Sequence, residues 1–209
     1  RQVTRRRARP ARVRPFRSRG RGPSDYEATS RFEEDAYWRS FLPRSSGEED
    51  HWFTRQILFK GKTASFTLAC EGPLAGRAGR VRLMLRNYTG AAHLTVAVNG
   101  VEVGAFAWDG GKRFLAEADV PAGVLADGDN TVTLTSVGDT PQPLDIVYTD
   151  WVELRYRRPL DAIDGALVFT ADTSGTARVG GLAAGRVLVA DITRPRAERK
   201  PRAMLSRSA

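Results

Sequence analysis

Cys70, His51 and His93 are the only thiol and imidazoles in the sequence. A cysteine nucleophile needs a base within hydrogen-bond reach. In "SFTLAC", Phe66, Leu68 and Cys70 alternate onto one face, the apolar one. In "HLTVAV", Leu94, Val96 and Val98 take the apolar face and His93 takes the other. A thiol pointing inward and an imidazole pointing outward do not meet, so Cys70 reads as a small core residue. His51 stands beside Trp52 with no acid–base partner in its pattern. One cysteine and two histidines do not supply the four ligands of a zinc site.

Other chemistries fare no better. The sequence has neither a G-x-S-x-G nucleophile elbow nor a phosphate-binding P-loop. The Glu33-Glu34 and Glu48-Glu49 pairs are adjacent in sequence rather than facing across a cleft, and they read as surface acids. "LADGDNTVTL" holds Asp127, Asp129 and Asn130, whose oxygens suit calcium. It lacks the ligand spacing and closing glutamate of an EF-hand, so a turn is the better reading. Asn87-Tyr88-Thr89 fits a glycosylation sequon, which matters only in a eukaryotic secretory context. No enzymatic activity is expected from this chain.

One carboxylate stands out. In "DIVYTDWVELRY", the alternate set Ile146, Tyr148, Asp150, Val152, Leu154 and Tyr156 is the apolar one, which places Asp150 among core residues. A buried carboxylate must be paired, hydrogen-bonded or bound to metal. Alternatively, a β-bulge rephases the strand and turns Trp151 inward. Pro159 cannot donate to a ladder, so the Arg157-Arg158-Pro159 run is a strand stop.

Charge is unevenly placed. The net charge is +9, yet residues 1–23 alone carry ten arginines and no acid. The remaining 23 basic residues face 24 acids, so residues 24–209 sum to −1. The arm "RQVTRRRARPARVRPFRSRGRGP" has no apolar period and is expected to be disordered. Arg5, Arg6, Arg7, Arg12 and Arg14 are candidates for contact with nucleic acid or another polyanion. Against that, only Phe16 is available to stack on a base, and a solvated linker has the same composition. No run of about 18 apolar residues is present to cross a membrane as a helix.

The elements that would position these residues are short strands with turn punctuation. "HWFTRQILF", residues 51–59, reads as one strand. "SFTLAC", "RVRLMLRN", "HLTVAV" and "TVTLTSV" follow, and Asn99-Gly100 predicts a type I′ hairpin over residues 93–107. Residues 33–40 and 122–126 have room for short helix or turn. Beyond Pro159, "GALVFTA", "ARVGGL" and "GRVLVADIT" are three further expected strands, too few to be stable alone. The expected division is 1–23 arm, 24–158 β-sandwich, 159–195 small β-unit and 196–209 linker or tail. The fold class is all-β.

"VAVNGVEVG", "VLADGDNTVTL" and "VYTDWVELRY" resemble successive strands of the galactose-binding-like jelly roll of carbohydrate-binding modules. The order "FEEDAYW", "EEDHWF", jelly roll, Asp-Trp strand and "DGALVFTADTSGTARVGGLAAGRVLVADITRP" resembles the region ahead of the catalytic domain in gingipain-like cysteine peptidases. That resemblance covers roughly residues 25–195. It implies a non-catalytic module packed against a caspase-like Cys–His domain, and an exported or cell-surface parent. No residue here matches the family's catalytic motifs. Jelly rolls of this type often hold a structural calcium between acids at the start and an aspartate on the last strand. This implies Glu33, Glu34 or Asp35 together with Asp150 as a Ca²⁺ set, with an arginine or bulge partner for Asp150 as the alternative. For carbohydrate, the aromatic candidates are Trp108, the most loop-like in sequence, and Trp52, with Trp38 and Trp151 behind them.

Overall fold

A computed structural model describes residues 20–39, 51–88, 90–171, 175–183, 185 and 187–189. Among these the secondary structure is entirely β, with no helix. Residues 33–39 leave a strand and enter a two-residue one, and residues 122–126 hold a turn, so neither helical option is realised.

Residues Asp25–Pro159 form one compact unit. Its eight long strands are β1 (Asp25–Glu33), β5 (Thr63–Cys70), β6 (Gly79–Asn87), β7 (Ala91–Val98), β8 (Val101–Asp109), β9 (Arg113–Val120), β10 (Gly128–Ser136) and β11 (Ile146–Pro159). Three two-residue strands complete the set: β2 (Tyr37–Trp38), β3 (Trp52–Phe53) and β4 (Leu58–Phe59). One sheet runs β1-β11-β6-β9 and the other β5-β10-β7-β8, with every ladder between named strands antiparallel. Counted as the first to eighth long strands, these orders are 1-8-3-6 and 2-7-4-5, the jelly roll. β4 adds to β11, and β2 pairs β3 as a separate ribbon.

The inner faces follow the expected alternation. Phe66, Leu68, Cys70, Val81, Leu83, Leu85, Leu94, Val96 and Val98 are all buried in one cluster. Asn99 and Gly100 join β7 to β8 at φ 49° and 82°, the two positive values of a type I′ turn. The outer faces differ in chemistry. On the β5-β10-β7-β8 sheet, Thr63, Thr135, Thr95 and Ala105 lie in one cross-strand row. The other sheet carries interleaved arginines and acids.

Three expectations are corrected. Residues 51–59 are not one strand, because Thr54 leaves the ribbon and donates its N–H to the Thr149 carbonyl at 2.9 Å. β3 and β4 are thereby separated. In β11, the register against β6 shifts between Thr149 and Trp151, a bulge at Asp150. Before it, Val147 and Thr149 face the core with Leu85, and after it Val152, Leu154 and Tyr156 do. Ile146 and Tyr148 are therefore on the outer face, where they pack with Phe53 and Ile57. Trp151 does not turn inward. It lies on the outer face under Arg31, whose Cζ is 4.4 Å from the ring, and within 5.7 Å of Arg82.

The third correction lies outside Asp25–Pro159. Among the described residues beyond Leu160 no ladder strand forms, only isolated bridges: Arg21 with Thr176, Asp161 with Gly180 and Ile163 with Ala166. In the first two segments no strand pairs and Val168 is exposed; most of the third segment, and residues 196–209, lie outside the described residues. The end of the basic arm is engaged: Gly22 donates to the Thr176 carbonyl at 3.1 Å. A Cβ at Gly22 would meet the Thr176 backbone at 2.6 Å, so glycine is required there. Arg5, Arg6, Arg7, Arg12 and Arg14 lie outside the described residues.

Candidate functional site

The thiol and the imidazole are on opposite faces of one sheet. Cys70 ends β5 on the core side and is fully buried. Burial pushes its thiol up to about 11, which leaves almost no thiolate at neutral pH. His93 faces outward from β7, and its Nδ1 lies 2.9 Å from both carboxylate oxygens of Asp139.

The four acids named for calcium are not gathered. Asp150 is 5% exposed at the bulge, and Arg113 Nη2 donates to its Oδ2 at 2.7 Å. Glu33 stands opposite Trp151 on the outer face and accepts from Arg31 Nε at 2.8 Å. Glu34 accepts from Arg55 Nε at 2.7 Å, and this hydrogen bond holds its carboxyl below the usual range. Asp35 is exposed two residues ahead of β2. Among the described residues no group of three or more His, Cys, Asp or Glu side chains is placed to hold a metal ion. Oxygen ligands for calcium must converge, and these four acids are not brought together as such a group. Asp150 has a guanidinium partner, Arg113, at the bulge.

The carbohydrate candidates separate cleanly. Trp108 is not in a loop. It is the next-to-last residue of β8, paired with buried Ala92, and the turn begins only at Gly110. Its indole N–H donates to Asn87 Oδ1 at 2.9 Å, and its face stacks on Phe114 at 4.6 Å and 4°. At 8% exposure it offers no platform. Trp52 is 42% exposed, and Trp38, directly opposite it in the ribbon, is 50% exposed.

The ribbon has two unlike faces. Tyr37 pairs with Phe53 and Trp38 with Trp52, and cross-strand partners share a face. Phe53 is buried against Tyr148, ring centroids 5.3 Å apart, so the tryptophan face points away from the sandwich. Arg39 Cζ lies 5.1 Å from the Tyr37 ring and 4.9 Å from that of Tyr148, seating the ribbon from beneath. His51 flanks Trp38 with ring centroids 6.3 Å apart. Its Nδ1 lies 2.8 Å from the Arg39 carbonyl. A carbonyl only accepts, so Nδ1 carries the proton and Nε2 of the neutral ring is an acceptor.

Around Trp151 the outer face is a charge lattice. Glu153 is buried and receives Arg155 Nε at 2.6 Å and Arg82 Nη1 at 3.1 Å, with Arg31 Nη1 at 3.6 Å. Burial pushes this carboxyl up, but the hydrogen bonds from Arg155 and Arg82 outweigh it and hold the group below the ordinary range. Arg82 also reaches Glu117, and Arg80 reaches Asp119. The cations here are matched by acids, so the face has no excess charge for a polyanion.

No family model matches the sequence, and no curated protein matches it. Solved structures do. The crystal structure of dimeric latent PorU from Porphyromonas gingivalis is similar over 75% of this chain and 15% of that one, at 10% identity and a TM-score of 0.52. A family 35 carbohydrate-binding module from an environmental isolate aligns over 65% of this chain and 96% of its own, with 15% identity and a TM-score of 0.41. The module CBM36, solved with calcium and xylotriose, aligns over 47% and 77%, with 19% identity and a TM-score of 0.36. The chain thus spans a small part of the PorU chain it matches, and at these identities what the two share is the β-sandwich fold.

Proposed function

We propose that this chain is a non-catalytic accessory module of a gingipain-like cysteine peptidase, which packs against or positions a caspase-like catalytic domain. The observation that carries this reading is the extent of the PorU likeness. The sandwich Asp25–Pro159 is 135 of 209 residues, about 65%, whereas the likeness takes in 75% of the chain. It therefore includes residues outside the jelly roll, as the resemblance across roughly residues 25–195 implies. The chemistry agrees: a buried, protonated thiol and an imidazole on the opposite face cannot form a nucleophile–base pair. An exported or cell-surface parent follows from the same resemblance.

The gene tests this directly. The coding sequence past Ala209 is expected to continue in frame into a domain bearing a paired cysteine and histidine, and a stop codon at that point overturns the reading. The purified chain alone is expected to cleave no peptide substrate under reducing conditions. Thiol-dependent cleavage abolished by Cys70→Ala would overturn its non-catalytic part.

A further inference from the structure

The end of the β1-β11-β6-β9 sheet where β4 joins it differs from the rest of its outer face. Phe59 of β4 stands opposite Ile146 of β11. Tyr88, one residue past β6, donates its N–H to the Ile146 carbonyl at 2.8 Å, next in line after the Asn87–Val147 pair. Val147 faces the core, so Ile146 and its cross-strand neighbours share the outer face. Phe59, Ile146 and Tyr88 thus form one row across three strands, and Leu144 precedes Ile146 by two residues. Phe59 is 49% exposed, Tyr88 36% and Leu144 58%. Single exposed apolar residues are ordinary, but contiguous ones mark interaction sites. Around Glu153 the same sheet face carries matched arginines and acids instead.

Area and charge narrow what covers the row. Its exposed apolar surface is on the order of 350 Å². A second free copy of the chain would need ~800 Å² per partner. Contacts between domains of one polypeptide total only ~600–1,500 Å², or roughly 300–750 Å² on each side. A tether also raises the local concentration to about the millimolar range. The row therefore falls short of a dimer interface and suits a tethered domain. Lys60, next to Phe59, already donates from Nζ to the Thr140 and Gln142 carbonyls at 2.7 and 3.0 Å. The row thus offers an apolar surface rich in aromatics, the composition of an interface centre, and its partner is apolar in kind. The tether is long enough. β11 (Ile146–Pro159) spans ~45 Å at about 3.3 Å per residue, whereas residues 160–209, extended, reach roughly 165 Å.

We propose that the Phe59–Ile146–Tyr88 row, with Leu144, is the face on which the catalytic domain of the same polypeptide docks, through an apolar patch of its own. This rests on the accessory reading and adds to it the surface that makes the contact.

The isolated chain and the full-length gene product are exposed to hydroxyl radicals, and side-chain oxidation is read by mass spectrometry. Oxidation of Phe59, Tyr88 and Leu144 is expected to fall about fivefold or more in the full-length protein, as partly exposed side chains enter a desolvated interface centre. Val101, exposed at the start of β8, is expected to be oxidised equally in both. Phe59→Glu/Leu144→Glu is expected to return Tyr88 oxidation in the full-length protein to its level in the isolated chain. The same double variant should leave the melting curve of the isolated chain unchanged, because both side chains are on the surface. Equal oxidation of the row in the two proteins, when an in-frame Cys–His domain is present, overturns the docking alone, as does protection that the double variant leaves intact. A stop codon at Ala209 overturns the accessory reading and the occupant together. A concentration-dependent dimer of the isolated chain that the double variant abolishes gives the face to a second copy and overturns the choice of occupant.

Discussion

Glu153→Gln tests whether the charge lattice over Trp151 is structural. The glutamate is buried and answered by three guanidiniums at 2.6, 3.1 and 3.6 Å. The amide keeps the shape and one acceptor, but leaves three cations facing a neutral group. Removing one member of a buried ion pair costs about 3–5 kcal/mol. Arg31, Arg82 and Arg155 are partly exposed, so water recovers part of that, and about 2 kcal/mol is expected. For a unit of 135 residues this is about 6–8 °C in Tm. The assay is urea unfolding of wild type and variant from pH 7 to pH 3. A carboxyl depressed in the folded state contributes stability that is complete above its unfolded value, about 4.3. That stability is lost as pH falls through the lower folded value. The difference between the two proteins should therefore be constant near neutrality and close in acid. A difference below about 0.5 kcal/mol at pH 7, the range of ordinary surface substitutions, refutes the reasoning, as does one that is the same at pH 3.

The other expectations contrast residues that look alike in sequence. Trp108→Ala should cost about 3–5 kcal/mol, the range for a buried aromatic, whereas Trp52→Ala should stay within about 0.5 kcal/mol; chemical denaturation distinguishes them. Arg113→Met leaves the buried Asp150 carboxylate without its 2.7 Å partner and should cost about 2–3 kcal/mol, while a chelator should leave the wild-type melting curve unchanged. A chelator-sensitive melt that Asp150→Asn abolishes would restore the calcium reading. Gly100→Ala, at φ 82°, should cost about 1 kcal/mol, measurable as a shift in denaturation midpoint.

Legibility followed the alternation of side chains. Wherever a strand had one dry and one wet face, period two marked the core correctly, as in "SFTLAC" and "HLTVAV". The Asn99-Gly100 turn was legible because few residue pairs accept two positive φ values. Trp108 was misplaced because the glycines after it looked like a loop that began earlier; its parity with Ala92 was the better signal. The segments beyond Pro159 have strand composition, but composition does not supply a partner to pair with. The ribbon was out of reach, since nothing local marks Tyr37–Trp38 and Trp52–Phe53 as partners across the intervening chain. For the same reason, Trp52 and Trp38 could each be named as candidates but not as cross-strand partners.

The bulge at Asp150 links these observations. Without it, period two would have placed Ile146 and Tyr148 on the core face with Val152 and Leu154. The inserted residue turns them outward while Val147 and Thr149 fill the core. Tyr148 then presents an apolar ring on the outside of the sheet, and Phe53 packs on it. Beside the bulge, β11 is paired by β4 at Ile146 and Val147 and by β1 from Trp151 onward. Thr54 occupies the gap between them with its bond to the Thr149 carbonyl. An isolated two-stranded ribbon is marginal in water, so it needs both the ring and the bond to stay in place. Arg113 offsets the buried charge that the insertion brings, which makes the Arg113–Asp150 pair a support for the ribbon as well as for the sheet. Arg113→Met should therefore loosen the ribbon as well as destabilise the sandwich, seen as increased acrylamide quenching of tryptophan emission under native conditions. Quenching unchanged in a destabilised but folded variant would show that the ribbon is held independently of the bulge.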